Sequence, residues 1–385
     1  MKIAAIISEY NPFHNGHRFH IDCTRHGFEA THVVPVMSGN FTQRGDVAVF
    51  DKFSRARMAL ESGVDLVLEL PVAASLGSAE QFAAGAVGIV NALNCVDLLS
   101  FGSEAGDIDL LSETAGAVEY AVQTDEFLGF MRRGSTYPVA LTKTIEKYYD
   151  DIINETLAAP NNTLAVEYLR ALSRTGSSVA PVTIKRHGAG HDSAEIGDNI
   201  ASASQIRKLL LSGESVSEFT PVEYPQNYAD ISRLETAILY KLRTMTADEI
   251  RNVPNVLHGL ENRIAKAAKA AKNLPELMFL IKTKRYTLAR LRRIILCCLL
   301  GITKTHAKTP PQYIRILGMN QKGREILAAT DSTLPIDASL SALMRRGDNC
   351  RKQGALEVRT SDIYGLAYEK PLPCGLELTS KPIIY

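Results

Sequence analysis

The 385-residue sequence predicts an α/β fold with a parallel sheet, followed by a mainly α-helical C-terminal domain. Three observations carry this. Apolar runs of strand length alternate with helix-length segments through the first two hundred or so residues. Those runs are rich in Val, Ile and Leu, as strands covered on both faces are. Beyond the two-proline stretch "PVEYPQNYADI" (221–231) the alternation stops and helical periodicity takes over. Strand–helix alternation implies parallel strands joined by right-handed crossovers.

The strand runs are "KIAAIIS" (2–8), "HVVPVMS" (32–38), "VDLVLEL" (64–70), "VDLLSFG" (96–102) and "VAPVTIK" (179–185). Helical patterns lie between them at 16–27, 52–62, 78–93 and, as a longer set, 107–175. The proline-bearing stretch reads as a linker, placing a boundary near 215–228 and dividing the chain into 1–220 and 221–385. After it come helical patterns at 229–243, 246–252, 258–272, 276–282 and 286–300, then a mixed tail whose "ELTSKPIIY" ending reads as a strand.

Composition narrows the function classes. With 45% hydrophobic and 22% charged residues the chain is globular, and a net charge of +1 gives no global attraction for nucleic acid or membrane. Any basic surface must be local. The apolar start meets Glu9 too soon for a signal peptide. The longest apolar run, "IILCCLLGI", is far short of the ~20 residues of a membrane span. Cysteines 23, 95, 297, 298, 350 and 374 form no CxxC pair and read as buried thiols in a reducing compartment, the adjacent Cys297 and Cys298 lying in an apolar run. The expectation is a soluble cytoplasmic protein.

Ligands of such sheets bind beyond the carboxyl ends of the strands. At the first of these ends lies "SEYNPFHNGHRFH" (8–20). If a helix starts near Gly16, His14 and His17 flank its first turn, where free N–H groups and a partial positive charge suit phosphate. Gly16 would let backbone approach a ligand closely. Two imidazoles there can stabilise charge building on a nucleotide α-phosphate under attack. A second motif, "SASQIRK" (202–208), follows the last strand. Ser202 and Ser204 can cap a helix and bind phosphate, and Arg207 adds a cationic fork. "SGNFTQRGD" (38–46) puts Gln43 and Arg44 at another strand end, where they are candidate substrate contacts.

Blander readings stand beside these. His14, His17 and His20 are three residues apart, but a metalloprotease-type site needs histidines at i and i+4 with a Glu between. His20 reads as a surface or packing residue when taken alone. Glu9 either assists chemistry or caps backbone. "HGAGHD" (187–192) is a lid or a plain loop. One of Asn161 and Asn162 caps the helix that follows. The stripe "KTKRYTLARLRR" (282–293) is a solvated helix face or a phosphate-contacting surface, and "ENRIAKAAKAAK" (261–272) offers a second basic face.

HxGH after the first strand, with S-x-[ST]-x-I-R late in the same domain, resembles the HIGH-type nucleotidyltransferase superfamily. More closely, "EYNPFHNGH", "SGNFTQRGD", "DLVLELP", "FGSE", "PNNTLAVEYLRAL" and "IKRHGAGH" resemble the tRNA(Met) cytidine acetate ligase family. "LENRI", "TKRYTLARLRRI" and "YIRILGMN" extend the resemblance over nearly the whole chain. It implies a Rossmann-like nucleotidyltransferase domain that binds ATP. It also implies activation of acetate as acetyl-adenylate with release of pyrophosphate, and acetylation of the wobble cytidine of elongator tRNA(Met) to 4-acetylcytidine. The ATP loop would be Ile7, Ser8, Glu9, Tyr10, Asn11, Pro12, Phe13, His14, Asn15, Gly16, His17, Arg18, Phe19 and His20. Further nucleotide contacts are implied at Gly102, at Asn161 or Asn162, and at Arg186. His14, His17, Ser204 and Arg207 would carry the catalysis. Lys284, Arg285, Arg292 and Arg293 become candidate tRNA contacts. The resemblance assigns no role to Gln43, Arg44, Lys52 or Arg55, and Ala203-Ser204 departs from a threonine-bearing version of the motif. ATP is expected with Mg²⁺, although no carboxylate pair is dedicated to it. The competing readings are a small-molecule adenylyltransferase and a non-catalytic nucleotide- or RNA-binding scaffold.

Overall fold

The computed structural model describes residues 1–186, 199–257 and 259–385, so the HGAGHD segment lies outside the described residues. Among the described residues there are ten strands: β1 (Ile3–Ser8), β2 (His32–Ser38), β3 (Phe41–Thr42), β4 (Asp46–Val47), β5 (Leu66–Leu70), β6 (Leu98–Ser103), β7 (Ala180–Lys185), β8 (Ile314–Met319), β9 (Ile336–Asp337) and β10 (Ile383–Ile384). The main sheet runs β10-β8-β5-β2-β1-β6-β7, with β9 beside β8. β1 is central and parallel to both neighbours, in register Ile3↔His32 and Ala4↔Leu98. The five strands expected from their apolar runs are all present in this sheet. β3 and β4 form a separate short antiparallel hairpin.

Helices cover both faces of the sheet. The long helical stretch expected at 107–175 is five helices: Ile108–Ala121, Asp125–Arg132, Tyr137–Tyr148, Asp151–Ala158 and Pro160–Thr175. Four of these five open on a Ser/Thr/Asp-type N-cap residue, and the last starts on proline, which fits the first helical position. Ala165, Val166 and Leu172 of the last join Val87, Val90 and Leu111 in the main core beneath the sheet. Helices Glu235–Thr244, Leu260–Ala270, Leu274–Ile281 and Leu288–Leu300 build a second core around Ile264, Leu277, Leu291 and Ile295. Cys297 and Cys298 are buried in it and Cys350 is buried elsewhere, but the expectation of six buried thiols fails for the half-buried Cys23 and Cys95 and the exposed Cys374, which lie outside apolar runs of this kind.

The sheet does not end with the first half of the chain. β8, from "YIRILGMN", pairs antiparallel with β5, and β10 at the C-terminus pairs parallel with β8. The sheet is therefore mixed, and its far edge is built from residues after 310. The reason is chemical. Arg315 in the middle of β8 is 1% exposed, and a lone buried guanidinium would be prohibitive. It is paired with Glu69 of β5 (3.4 Å) and with Glu377, while Lys52 reaches the same two carboxylates at 2.5 Å each. Among the described residues no helix is long and apolar enough to cross a membrane.

Candidate active site

A cleft of about 260 Å³ opens at the carboxyl ends of β1 and β6. It is lined by the loop after β1, the β3–β4 hairpin, the start of helix Pro160–Thr175 and the start of helix Ala203–Leu211. His14 is the N-cap of helix Asn15–Gly27. Its Nδ1 accepts the Gly16 N–H (3.1 Å), while the His17 Nδ1 accepts the His14 N–H (3.2 Å). The two rings stack with centroids 3.7 Å apart. This reciprocal capping satisfies two helix-end donors with imidazoles in place of the usual Ser and Glu. It also sets the tautomers. A neutral ring whose Nδ1 accepts must carry its proton on Nε2. Burial pushes the His14 pKa down to about 4, helped by Arg186 and Arg207. Burial likewise holds His17 well below its ordinary value, with His14, Arg186 and His20 adding to it. Near neutral pH both rings are uncharged Nε2–H donors.

Gly16 has a reason different from the expected one. A Cβ there would lie 3.0 Å from the His14 ring, so glycine leaves room for that ring to fold back onto its own helix. Gly102 does the same for Arg186, whose Cγ would meet a Cβ at 3.1 Å. The Arg186 backbone N–H is held by the Ser103 carbonyl (2.8 Å), which aims the side chain across the end of β6. Arg207 Nη1 donates to the Asn11 carbonyl (2.6 Å) and Nη2 to Ser204 Oγ (3.2 Å), tying the late motif to the first loop. Ser202 caps its helix by accepting from the Gln205 N–H (3.2 Å).

Asn161 and Asn162 separate cleanly. Neither caps the helix, whose N-cap position is Ala159; Glu104 of "FGSE" serves its free end instead, accepting from Asn161 Nδ2 (2.6 Å) and the Asn162 N–H (2.8 Å). Asn162 is buried, accepting from the Ala105 N–H (3.0 Å) and donating to the Thr156 carbonyl (3.0 Å). Only Asn161 lines the cleft.

Of the residues singled out from sequence, the cleft brings together Ile7, Ser8, Glu9, Tyr10, Asn11, His14, His17, His20, Gln43, Arg44, Gly102, Asn161, Arg186, Ser202, Ser204 and Arg207. Pro12, Asn15, Gly16, Arg18 and Phe19 do not line it. Phe13 is core, Arg18 pairs with Asp22 on its own helix, and Asn15 Nδ2 donates to the carbonyls of Asn199 and Glu218. His20 is held from below, with Nε2 3.0 Å from Ser100 Oγ. Arg55 is wholly buried, donating to the carbonyls of Phe50 (2.9 Å), Ser38 (3.1 Å) and Glu9 (2.5 Å), and so braces the cleft loop. Sequence reasoning missed Thr42, Asp46, Phe82, Phe101, Leu164 and Tyr168, which also line the cleft. The Phe101 and Tyr168 rings lie 5.6 Å apart as part of the core, so their apolar character gave no separate signal.

The basic stripe divides as well. Arg290 donates to the Asn255 carbonyl (2.7 Å), and Lys282 donates to the Tyr286 carbonyl. Arg293 Nη1 donates to the Gln43 carbonyl (2.8 Å), which fastens helix Leu288–Leu300 to the hairpin. Gly45 (φ +76°) is the other fastening, since a Cβ there would lie 2.6 Å from the Arg293 nitrogen. Lys284, Arg285 and Arg292 remain exposed. Among the described residues no cluster of three or more His, Cys, Asp or Glu is arranged to hold a metal ion.

Known proteins resemble this chain over its whole length. The family model for HIGH nucleotidyl transferases matches residues 1–374. The tRNA(Met) cytidine acetate ligase of Acetivibrio thermocellus is 37% identical, with all of both chains covered. That of Clostridium perfringens is 39% identical, over 94% of this chain and 95% of the relative. The crystal structure of Thermotoga maritima TmcAL bound with alpha-thio ATP superposes with a TM-score of 0.90 at 30% identity, covering 100% of this chain and 99% of that one. With matches of this extent in both sequence and structure, the chain belongs to the tRNA(Met) cytidine acetate ligase family of HIGH nucleotidyl transferases.

Proposed function

We propose that this protein activates acetate with ATP as acetyl-adenylate, releasing pyrophosphate, and then acetylates the wobble cytidine of elongator tRNA(Met) to 4-acetylcytidine. The observation that carries the first step is the pair of neutral, stacked imidazoles at a helix N-terminus, facing Arg186 and Arg207. An acetate oxygen attacks the α-phosphorus, and pyrophosphate departs. Charge then gathers on the phosphoryl oxygens. Two fixed Nε2–H donors and two guanidiniums stabilise that charge without reorganising, and no covalent enzyme intermediate is needed. The nucleotide enters as its Mg²⁺ complex, with its own phosphates supplying metal ligands. The exposed Lys284, Arg285 and Arg292 meet the tRNA backbone, and Gln43 and Arg44 meet the substrate at the cleft mouth. A cytoplasmic setting suits both the tRNA substrate and six unpaired cysteines.

The test is ATP–pyrophosphate exchange, with and without acetate, and with and without tRNA. Acetate-dependent exchange is the expected result. Exchange driven by another acceptor in acetate's place would select the small-molecule adenylyltransferase. An absence of exchange under all conditions would point to a non-catalytic scaffold.

A further inference from the structure

We propose that Glu9 is the general base of acyl transfer, taking on its free carboxylate oxygen the proton released by the cytidine amine. This rests on the ligase reading above. As the amine nitrogen bonds to the acetyl carbon, the carbon–oxygen bond to the phosphate breaks. Its electron pair leaves with AMP, and one N–H proton must go to an acceptor. A ring-conjugated amine is a weak nucleophile, so a positioned acceptor matters.

The cleft offers few such groups. His14 and His17 are excluded by their tautomers, because both Nδ1 lone pairs take backbone N–H groups and both Nε2 atoms carry protons. His20 hands its Nε2 proton into a closed chain: Ser100 Oγ accepts it, Thr24 Oγ1 accepts from Ser100, and Thr24 donates to the His20 carbonyl (2.8 Å). Protonating its other nitrogen would put a second cation beside Arg186. Asp46 uses one oxygen on its own strand, accepting the Val47 N–H (2.9 Å), and feels Arg292 and Asp230 as well as Arg207.

Glu9 remains. Its Oε1 accepts the Gln43 N–H (2.7 Å), and its Oε2 has no hydrogen-bond partner among the described residues. It lies directly after β1, on the loop that leads to His14 and to the helix carrying His17. The groups facing it are Arg44 from the hairpin, Arg207 from helix Ala203–Leu211, Arg55 from helix Lys52–Glu61 and Tyr168 from helix Pro160–Thr175. Burial lifts its pKa above the ordinary carboxylate value and makes it a stronger base, while the three arginines favour its ionised form. Accepting a proton there removes a buried charge, whereas protonating His20 would create one.

The experiment supplies synthetic acetyl-adenylate and unmodified tRNA(Met) transcript to the full-length enzyme. Single-turnover acetylation is followed from ~pH 5 to ~pH 8 for wild type, Glu9→Gln and Asp46→Asn, with acetate-dependent exchange measured alongside. Glutamine keeps an oxygen for the Gln43 N–H but cannot serve as the base. In wild type, transfer should rise with pH as Glu9 ionises. Glu9→Gln should lose about 100-fold in transfer, far more than it loses in exchange, and should lose the rising limb. Equal losses in both steps would make Glu9 a nucleotide-binding residue and overturn the proposal. So would a rising limb that survives Glu9→Gln or disappears in Asp46→Asn. A wild type inactive in both assays would instead overturn the ligase reading, and the role of Glu9 with it.

Discussion

His17 holds a backbone N–H with one nitrogen and is left with a single donor for substrate on the other. Its replacement should therefore separate structure from chemistry. His17→Ala removes half of a capping pair, worth ~1 kcal/mol, so the fold should survive with a modestly lower melting temperature. Exchange should fall about 100-fold, because one fixed transition-state donor contributes ~3 kcal/mol. Near-normal exchange in this variant would remove the role given to His17. The lowered pKa values add a sign. A histidine titrating far below its ordinary value leaves the native state under-protonated relative to the unfolded chain. Its stability contribution is thus present above pH ~6.5 and is lost as pH falls toward ~4. At this scale the sequence was informative where polar residues sat at strand ends. "HNGH" and "SASQIR" were legible for that reason. Asp46, Phe101 and Tyr168 were not, because a hairpin of two-residue strands and apolar rings in a core look like any others.

Elements that obey a local rule were legible, and those that need a distant partner were not. β1, β2, β5, β6 and β7 announce themselves as Val/Ile/Leu runs between turn residues. β8 carries Arg315, and its place in a sheet makes sense only once Glu69 and Glu377, far away in sequence, are beside it. Helix Asp348–Tyr364 contributes Glu357 to the same region, where its Oε1 accepts the Val72 N–H (2.9 Å). Burial, and then the nearby Glu69, push the Glu357 carboxyl up to about 8. The folded state then binds more protons than the unfolded one between the ordinary carboxylate pKa and that value. Stability from this helix should fall as pH rises through the window, by roughly 2 kcal/mol between pH 6 and pH 8. Glu357→Gln keeps an acceptor for Val72 and discards the charge. Urea titrations should show the variant's advantage over wild type growing by that same amount between pH 6 and pH 8. Parallel curves at both pH values would show that Glu357 is not the titrating group.

Over the whole molecule, a net charge of +1 means that an RNA must be found by a patch rather than by a field. The stripe read from sequence held six bases, but three are used to assemble the protein. Lys282 and Arg290 brace their own neighbourhood, and Arg293 pins the hairpin that borders the cleft. Sequence could not separate these from the others, since a base bonded to a distant carbonyl and one facing water look alike in a charge run. Reversing Arg293 would therefore disturb the cleft and confuse a binding test. Lys284 and Arg285 are exposed and suit that test. Removing one cation from a phosphate lowers the slope of log K against log salt by roughly one unit. Lys284→Glu with Arg285→Glu should weaken tRNA(Met) binding at every salt concentration and reduce that slope by about 2. Acetate-dependent exchange without tRNA should stay near the wild-type rate, because neither side chain lines the cleft. Binding with an unchanged salt slope would show that these bases face solvent alone, and the RNA surface would then have to be sought on another face of the helical region.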